Sequence, residues 1–94
     1  MTYYILSYQT APDYMLRREA FRAAHLDHVK HYQAQGLLLM AGALMDPADK
    51  AVLIFKAEDS TIPEDFAKND PYVLHSVVSS WEVRAWNVVV GGEY

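Results

Sequence analysis

The centre of the chain, residues 36–57, has the sequence GLLLMAGALMDPADKAVLIFKA. Two apolar runs, Leu37–Leu44 and Ala51–Lys56, flank Met45–Lys50, a short segment with one proline and two aspartates that favours a turn. We therefore predict two strands joined as a hairpin. Neither run alternates regularly between apolar and polar residues, so both faces of these strands are apolar.

A strand and a long helix are predicted on the N-terminal side of this hairpin. Tyr3–Tyr8 is rich in aromatic and aliphatic residues and ends shortly before a proline, which is typical of a strand. Pro12 and Asp13 then open a helix that extends to about Gln35. Gly36 follows directly, at the position where the end of a helix favours a residue with a left-handed backbone.

Shorter helical segments and a last strand are predicted on the C-terminal side. Thr61–Glu64 fits a capping box at the start of a helix that ends near Asn69. Pro71 interrupts that helix, because the residue before a proline is disfavoured in the helical conformation. Three segments complete the chain: a helical turn from Tyr72 to His75, a strand within Val77–Val90, and a loose tail at Gly91–Tyr94.

The predicted order, β-α-β-β-α-β, is typical of an α+β, ferredoxin-like fold in which both helices cover one face of an antiparallel sheet. The opposite face would then meet water, yet the central strands are apolar on both faces. No remaining segment is predicted to cover this outer face. We therefore expect a second copy of the chain to cover it, giving a homodimer with its sheets face to face. The alternative is an outer face that stays partly exposed to solvent.

Composition limits the classes of function. With 94 residues and 10.7 kDa, the chain is expected to form a single domain over residues 1–94. Its 12 acidic and 8 basic residues argue against nucleic-acid binding, because phosphate contacts need a basic surface. The sequence has no cysteine, no secretory leader pattern and no apolar run of membrane-spanning length. We therefore expect a cytoplasmic protein that does not bind membranes.

Histidine is the first candidate for chemistry. Helical periodicity groups five residues on one side of the long helix: Tyr14, Phe21, His25, Val29 and Tyr32. His25 lies in the middle of this stripe and is predicted to face the sheet, His28 lies at its edge, and His31 faces solvent. His25 is then either a core residue bonded to a backbone carbonyl or a proton carrier beside a pocket, since histidine titrates near pH ~6.5. The residues by themselves leave both interpretations open.

Asp70 is the second candidate, and it also admits two interpretations. As the residue before Pro71 it is suited to cap a helical turn. At the end of the second helix, its carboxylate could also orient an imidazole on the same side of the sheet. One carboxylate can do both, because capping uses only one oxygen. His25 and His28 have no third ligand at a matching helical spacing, so we expect no metal site.

Several short motifs span nearly the whole chain: Arg17-Arg18 followed by Arg22-Ala23-Ala24-His25-Leu26-Asp27-His28, then Gly36-Leu37-Leu38, Ala41-Gly42, Asn69-Asp70-Pro71-Tyr72-Val73 and Ser80-Trp81-Glu82-Val83-Arg84-Ala85-Trp86. Together they resemble the YciI-like (YCII-related) family. The resemblance implies a ferredoxin-like fold that dimerises into an α+β barrel. It also implies a small enzyme with a histidine–aspartate pair in a pocket, which falls here on His25 and Asp70.

The resemblance implies a cofactor-free lyase or isomerase acting on a small, cyclic organic molecule. Arg22, Tyr72 and His28 are the expected substrate-binding residues, with Arg22 and Tyr72 near the mouth of the pocket. Two alternatives stay open: a non-catalytic ligand-binding or accessory module, and a heme- or quinone-handling monooxygenase of the same dimeric barrel fold. Departures from the family pattern are Ala43, where many members have proline, and His75, which would enter or crowd the pocket.

Overall fold

The computed structural model describes residues 1–92, in which strands and helices alternate in the predicted order. Glu93 and Tyr94, the second half of the predicted tail, lie outside the described residues. The elements, in chain order, are β1 (Thr2–Thr10), α1 (Tyr14–Ala34), β2 (Leu38–Ala43), β3 (Lys50–Ala57), α2 (Thr61–Asn69), α3 (Pro71–Leu74) and β4 (Val78–Trp86).

The four strands form one antiparallel sheet in the order β2-β3-β1-β4. The last strand ends at Trp86, whereas the predicted segment extended to Val90. The register explains this difference. Trp86 pairs with Tyr3, and β1 begins only one residue earlier, at Thr2, so the residues after Trp86 run past the start of β1. The predicted α+β, ferredoxin-like fold is confirmed.

The core lies between one face of this sheet and the three helices. Leu6 and Leu53, paired on neighbouring strands, are fully buried with Phe55 and Val77. From α2, the ring of Phe66 packs against Phe55 at a centroid distance of 5.3 Å. The predicted stripe of α1 faces this core, but only Tyr14 is buried and the other four residues are half-buried. The long helix therefore leaves room between itself and the sheet.

Gly36 ends α1 as the sequence predicts. Its φ of 75° is left-handed, which a glycine adopts without steric cost. The Gly36 N–H donates to the carbonyl of Gln33 at 2.9 Å, and the Leu37 N–H donates to the carbonyl of Tyr32 at 3.1 Å. These two bonds form a Schellman motif, which satisfies carbonyls at the helix end and directs the chain into β2.

The predicted capping box at Thr61–Glu64 is wrong. Ser60 is the N-cap of α2 and makes no capping bond with its side chain. Thr61 is already inside the helix, and both its N–H and its hydroxyl donate to Asp59 Oδ1. These two bonds lower the pKa of the Asp59 carboxyl. Asp59, two residues before Thr61, thus provides the acceptor at the helix start. A carboxylate oxygen can accept both of these hydrogen bonds.

The outer face of the sheet is apolar at its centre. Ile5 pairs with Ile54, which in turn pairs with Met40 on the edge strand. Met40 is 69% exposed. At one end of this face, Gly92 lies so close to the Tyr3 ring that an added Cβ would come within 2.9 Å of the hydroxyl oxygen. Part of the C-terminal segment thus contacts the outer face, although no segment of the chain was expected to cover it. The apolar centre of the outer face stays uncovered.

Candidate functional site

A cavity of about 310 Å³ opens between α1 and the sheet. On the sheet side its wall is made of small or aliphatic residues, mainly Ala41–Ala43, Ala51 and Leu53. Their short side chains leave the space that the half-buried stripe of α1 does not fill. The helices and β1 contribute the polar part of the wall, which consists of Tyr8, Thr10, Tyr14, Arg18, Arg22, His25 and Tyr72.

His25 and Asp70 meet at this cavity. The Nδ1 atom of His25 lies 2.8 Å from Asp70 Oδ1, which is within hydrogen-bond distance. An ionised carboxylate only accepts hydrogen bonds, so Nδ1 carries the proton that it donates. In the neutral imidazole the lone pair then lies on Nε2, to which no described residue is bonded. His25 and Asp70 are therefore in direct hydrogen-bond contact.

Asp70 also caps α3, so both interpretations of this residue hold together. Its Oδ1 accepts the backbone N–H of Tyr72 at 3.0 Å, and Pro71 occupies the first position of the helix. The carboxyl group is fully buried. A buried carboxylate is tolerated only where donors surround it, and the break in the chain at Pro71 is what turns this one toward α1.

Tyr8 completes this set of donors and was not identified from the sequence. Its hydroxyl donates to Asp70 Oδ2 at 2.6 Å, so the carboxylate accepts from an imidazole, a backbone amide and a phenol. Burial raises the pKa of Tyr8, and the charge and hydrogen bond of Asp70 raise it further. Tyr8 therefore stays a donor. The available signal was alternation in β1, which places Tyr8 on the same face as buried Leu6.

Tyr72 packs against the face of the His25 imidazole. Its ring stacks on that of His25 with centroids 3.9 Å apart and an angle of 5° between the planes. Tyr72 is 4% exposed and is therefore part of the inner cavity wall. The expectation that it lies near the mouth of the pocket is wrong. Burial raises its pKa and Tyr14 adds to this, while the charges of Arg22 and Arg18 act in the opposite direction. Arg22 is exposed and lies at the edge of the cavity, as expected.

The sequence model of the YCII-related domain matches residues 1–87. The chain belongs to the YCII-related family. A relative from Haemophilus influenzae (strain ATCC 51907 / DSM 11121 / KW20 / Rd) is 31% identical over 96 residues, covering 93% of this chain and 98% of its own, and is an uncharacterized protein. The histidine–aspartate contact thus lies in a fold whose family is known.

A solved structure also resembles this YCII-related chain. It is the 5-chloro-2-hydroxyhydroquinone dehydrochlorinase TftG from Burkholderia phenoliruptrix AC1100, in complex with 2,5-dihydroxybenzoquinone. The two chains are 19% identical and superpose with a TM-score of 0.76 over 90% of this chain and 93% of the other. At this identity the likeness supports the fold class.

His28, expected at the substrate, lies elsewhere in this YCII-related domain. Its Nε2 is 2.8 Å from the backbone carbonyl oxygen of Phe66, and its ring packs on the Phe66 ring at a centroid distance of 4.4 Å. It does not line the cavity. The edge of the helix stripe meets α2 instead of the open space, so this histidine links α1 to α2.

His75 also stays out of the cavity. It is exposed and stacks on Phe21 with centroids 4.3 Å apart, while its carbonyl accepts a bond from Arg17 at 2.6 Å. Among residues 1–92, no group of three or more histidine, aspartate or glutamate side chains has the arrangement of a metal site. Over the same residues, no helix combines the length and apolar character needed to span a membrane.

We expect Tyr8→Phe to destabilise the domain at neutral pH by about 1–3 kcal/mol, because it leaves Asp70 Oδ2 buried without a donor. Since the pKa of Tyr8 is raised in the folded state, its contribution is complete below the ordinary tyrosine pKa of about 10. Above that pH the unfolded chain ionises first, and the contribution falls as pH rises. The difference between Tyr8→Phe and wild type should therefore shrink at pH 11.

Urea denaturation at pH 7 and pH 11 measures this effect. Tyr4→Phe is the matched control, because Tyr4 lies two residues before Leu6 on the same strand face and packs against the core. It should leave the free energy of unfolding within about 0.5 kcal/mol of wild type at both pH values. Equal stability of Tyr8→Phe and Tyr4→Phe at pH 7 would show that the Tyr8–Asp70 bond contributes nothing.

Proposed function

We propose that this YCII-related protein is a small-molecule-processing enzyme, a cofactor-free lyase or isomerase whose general acid and base is His25. The observation that carries the proposal is the 2.8 Å contact of His25 Nδ1 with buried Asp70, on the wall of a 310 Å³ cavity. Asp70 orients the imidazole and stabilises the imidazolium that forms when Nε2 takes a proton. Tyr8, on the other carboxylate oxygen, holds Asp70 in place.

The reaction is a proton transfer at a tetrahedral ring carbon atom next to a carbonyl group, as in the keto tautomer of a hydroxylated ring. Nε2 of His25 takes the proton, and the electron pair of the C–H bond becomes a π bond conjugated with the carbonyl group, whose oxygen takes up the negative charge. In an isomerase the imidazolium then returns the proton to another carbon atom. In a lyase the electron pair expels a leaving group from the adjacent carbon, and the proton on His25 passes to the product or to water. Each cycle restores the neutral imidazole, so no outside oxidant or reductant is required.

Substrate size and shape are inferred from the cavity. A volume of about 310 Å³ is at the lower end for ligand pockets and fits one small ring. Arg22 at the cavity edge and Tyr72 in its wall are the proposed contacts to substrate oxygen atoms. TftG supports this choice, since a protein of the same fold acts on a hydroxylated aromatic ring and binds 2,5-dihydroxybenzoquinone. His28 is not among the proposed substrate contacts, because its Nε2 is bonded to the backbone carbonyl of Phe66.

The proposed assembly is a cytoplasmic homodimer with the two sheets face to face. The support is the apolar centre of the outer face, where Ile5, Ile54 and Met40 pair across three strands. A domain of 94 residues also buries a limited share of its surface on its own, which makes association favourable.

Hydrogen–deuterium exchange tests the proposed chemistry without knowledge of the natural substrate. The probe is 2,5-dihydroxybenzoquinone in D₂O, with its ring C–H signals followed by proton NMR. We expect the wild-type protein to accelerate exchange above the buffer rate and His25→Gln to reduce that acceleration by about 10²- to 10⁴-fold. His31→Gln, an exposed histidine on the same helix, is the control and should exchange at the wild-type rate.

Two outcomes would contradict the proposal. The first is acceleration that survives in His25→Gln, which would assign proton transfer to another group. The second is tight binding of the probe with no exchange, and no chloride release from 5-chloro-2-hydroxyhydroquinone. That result would favour the non-catalytic ligand-binding module, which keeps the cavity and the histidine–aspartate contact without turnover.

A further inference from the structure

Two buried polar atoms at the cavity have no hydrogen-bond partner among residues 1–92: Arg18 Nε and the hydroxyl oxygen of Tyr72. Tyr72 is 96% buried, as its 4% exposure gives, and both residues line the cavity. The nearest carboxylate oxygen to Arg18 Nε belongs to exposed Glu19 and lies 3.8 Å away, beyond hydrogen-bond distance. A buried donor without an acceptor destabilises a protein, so two of them at one cavity point to a ligand that accepts from both.

Tyr14 brings these two donors together. The guanidinium carbon of Arg18 lies 5.6 Å from the centroid of the Tyr14 ring. The Tyr72 ring meets the same Tyr14 ring edge-on, at a centroid distance of 6.2 Å. Arg18 is one turn after Tyr14 on α1, and Tyr72 approaches from α3. Both donors therefore lie at the Tyr14 side of the cavity, with the His25 imidazole stacked on the Tyr72 ring.

The charge around the cavity has one sign, although the whole chain carries −4. Arg18 and Arg22, four residues apart on α1, both line it, and none of the described residues in its wall is an aspartate or glutamate. Like charges at this spacing destabilise a helix. Asp70 lies behind His25 and its oxygens are occupied by Tyr8, His25 and Tyr72. An anion in the cavity would offset the repulsion between the two guanidinium groups.

We infer that the cavity selects a substrate with an ionised oxygen, held by Arg18 Nε–H and the Tyr72 hydroxyl, with Arg22 adding charge at the edge. This inference deepens the proposed function and rests on it. A carboxylate and an ionised ring hydroxyl share this chemistry, since each offers a negatively charged acceptor on a planar group. The anionic end is then fixed at Tyr14, and the adjacent part of the ring is presented to His25. Arg18 is thus a substrate-binding residue, one helical turn before Arg22.

Binding of matched probes tests the inference. The pair 2,5-dihydroxybenzoate and 2,5-dihydroxybenzamide differ in charge at one group, while 2,5-dihydroxybenzoquinone supplies ring hydroxyls that ionise at neutral pH. We expect calorimetry to show each anion binding at least tenfold more tightly than the amide. Arg18→Gln should remove that preference, because it weakens binding of the anions more than binding of the uncharged amide. Preference for the benzoate alone would identify a carboxylate as the recognised group, and preference for the quinone alone an ionised ring hydroxyl.

Tyr72→Phe gives a readout that a purely structural role would not produce. Because no residue among 1–92 accepts a hydrogen bond from its hydroxyl, removing it should leave the melting temperature unchanged or higher. The same substitution should weaken anion binding about tenfold. This variant also keeps the inference testable if Arg18→Gln fails to fold. Lys30→Gln, an exposed residue of α1 with the same change in charge, is the control and should bind all probes as wild type does.

Equal affinity for anion and amide, or no measurable binding of any anion at millimolar concentration, would overturn the inference. Failure of the proposed function is separate. His25→Gln should stop ring exchange and still bind the anions, so exchange without anion preference rejects only the inference. Anion preference in a protein that exchanges no probe rejects only the enzymatic proposal.

Discussion

Replacing Asp70 with asparagine is expected to lower the catalysed rate of proton transfer by about 10²- to 10⁴-fold while the domain stays folded. Asparagine still offers an oxygen to the Tyr72 N–H and still caps α3. It carries no charge, so it cannot stabilise the imidazolium of His25 in the way a carboxylate 2.8 Å away does. The exchange assay with 2,5-dihydroxybenzoquinone measures this loss, and circular dichroism verifies the fold.

Asp70→Ala separates the two roles of this residue. Alanine removes the cap of α3, which costs about 1 kcal/mol, and leaves the Tyr8 hydroxyl without its acceptor, which costs about 1–3 kcal/mol more. We therefore expect Asp70→Ala to be both inactive and clearly less stable than Asp70→Asn in urea denaturation. Asp65→Asn, an exposed carboxylate on α2, is the control and should change neither quantity. Full activity in Asp70→Asn would mean that Asp70 is only a helix cap.

Met40→Glu is expected to convert the proposed dimer, with a mass of about twice 10.7 kDa, to a monomer. Met40 is on the edge strand β2 and opposite Ile54, so its side chain belongs to the apolar outer face. Because it is 69% exposed in the single chain, a charge there costs the isolated domain little. In a face-to-face dimer the same charge would be buried without a partner, which costs several kcal/mol.

Light scattering at micromolar concentration measures the mass of the wild-type protein and of Met40→Glu. Leu16→Glu introduces the same charge at a residue that is 85% exposed on α1, away from the sheet, and should stay dimeric. A mass of 10.7 kDa for the wild-type protein would contradict the proposed assembly. A dimer that tolerates glutamate at Met40 would require another interface.

Much of the fold could be predicted because it depends on short-range patterns. The apolar runs around Met45–Lys50 locate the hairpin, and the 3.6-residue period puts His25 on the inner side of α1. Gly36 marks the end of α1, since few other residues accept its φ of 75°. The sequence located the last strand only to within Val77–Val90, because Val88–Val90 is also apolar, and the register shows that Trp86 already pairs near the start of β1. A capping box was assigned to Thr61 because the pattern cannot show which upstream oxygen the helix start uses.

The candidate site divides in the same way. His25 and Asp70 could be named from the sequence, because one lies on a periodic stripe and the other precedes a proline that must break a helix. Tyr8 is 62 positions from Asp70 along the chain, and nothing local in β1 indicates which buried tyrosine will meet a carboxylate. His28 is separated from His25 by one turn, yet it faces α2 and not the cavity.

The sequence by itself determined the order of elements, the inward side of α1 and the break at Asp70, because each follows from the conformational preference of a few neighbouring residues. Only the tertiary structure decided what these elements enclose. The half-buried stripe of α1 and the small residues Ala41–Ala43 together leave a cavity. The same packing decides whether Arg18 faces solvent or that cavity. Contacts between distant segments bury the Nε donor of Arg18 and determine whether it has an acceptor.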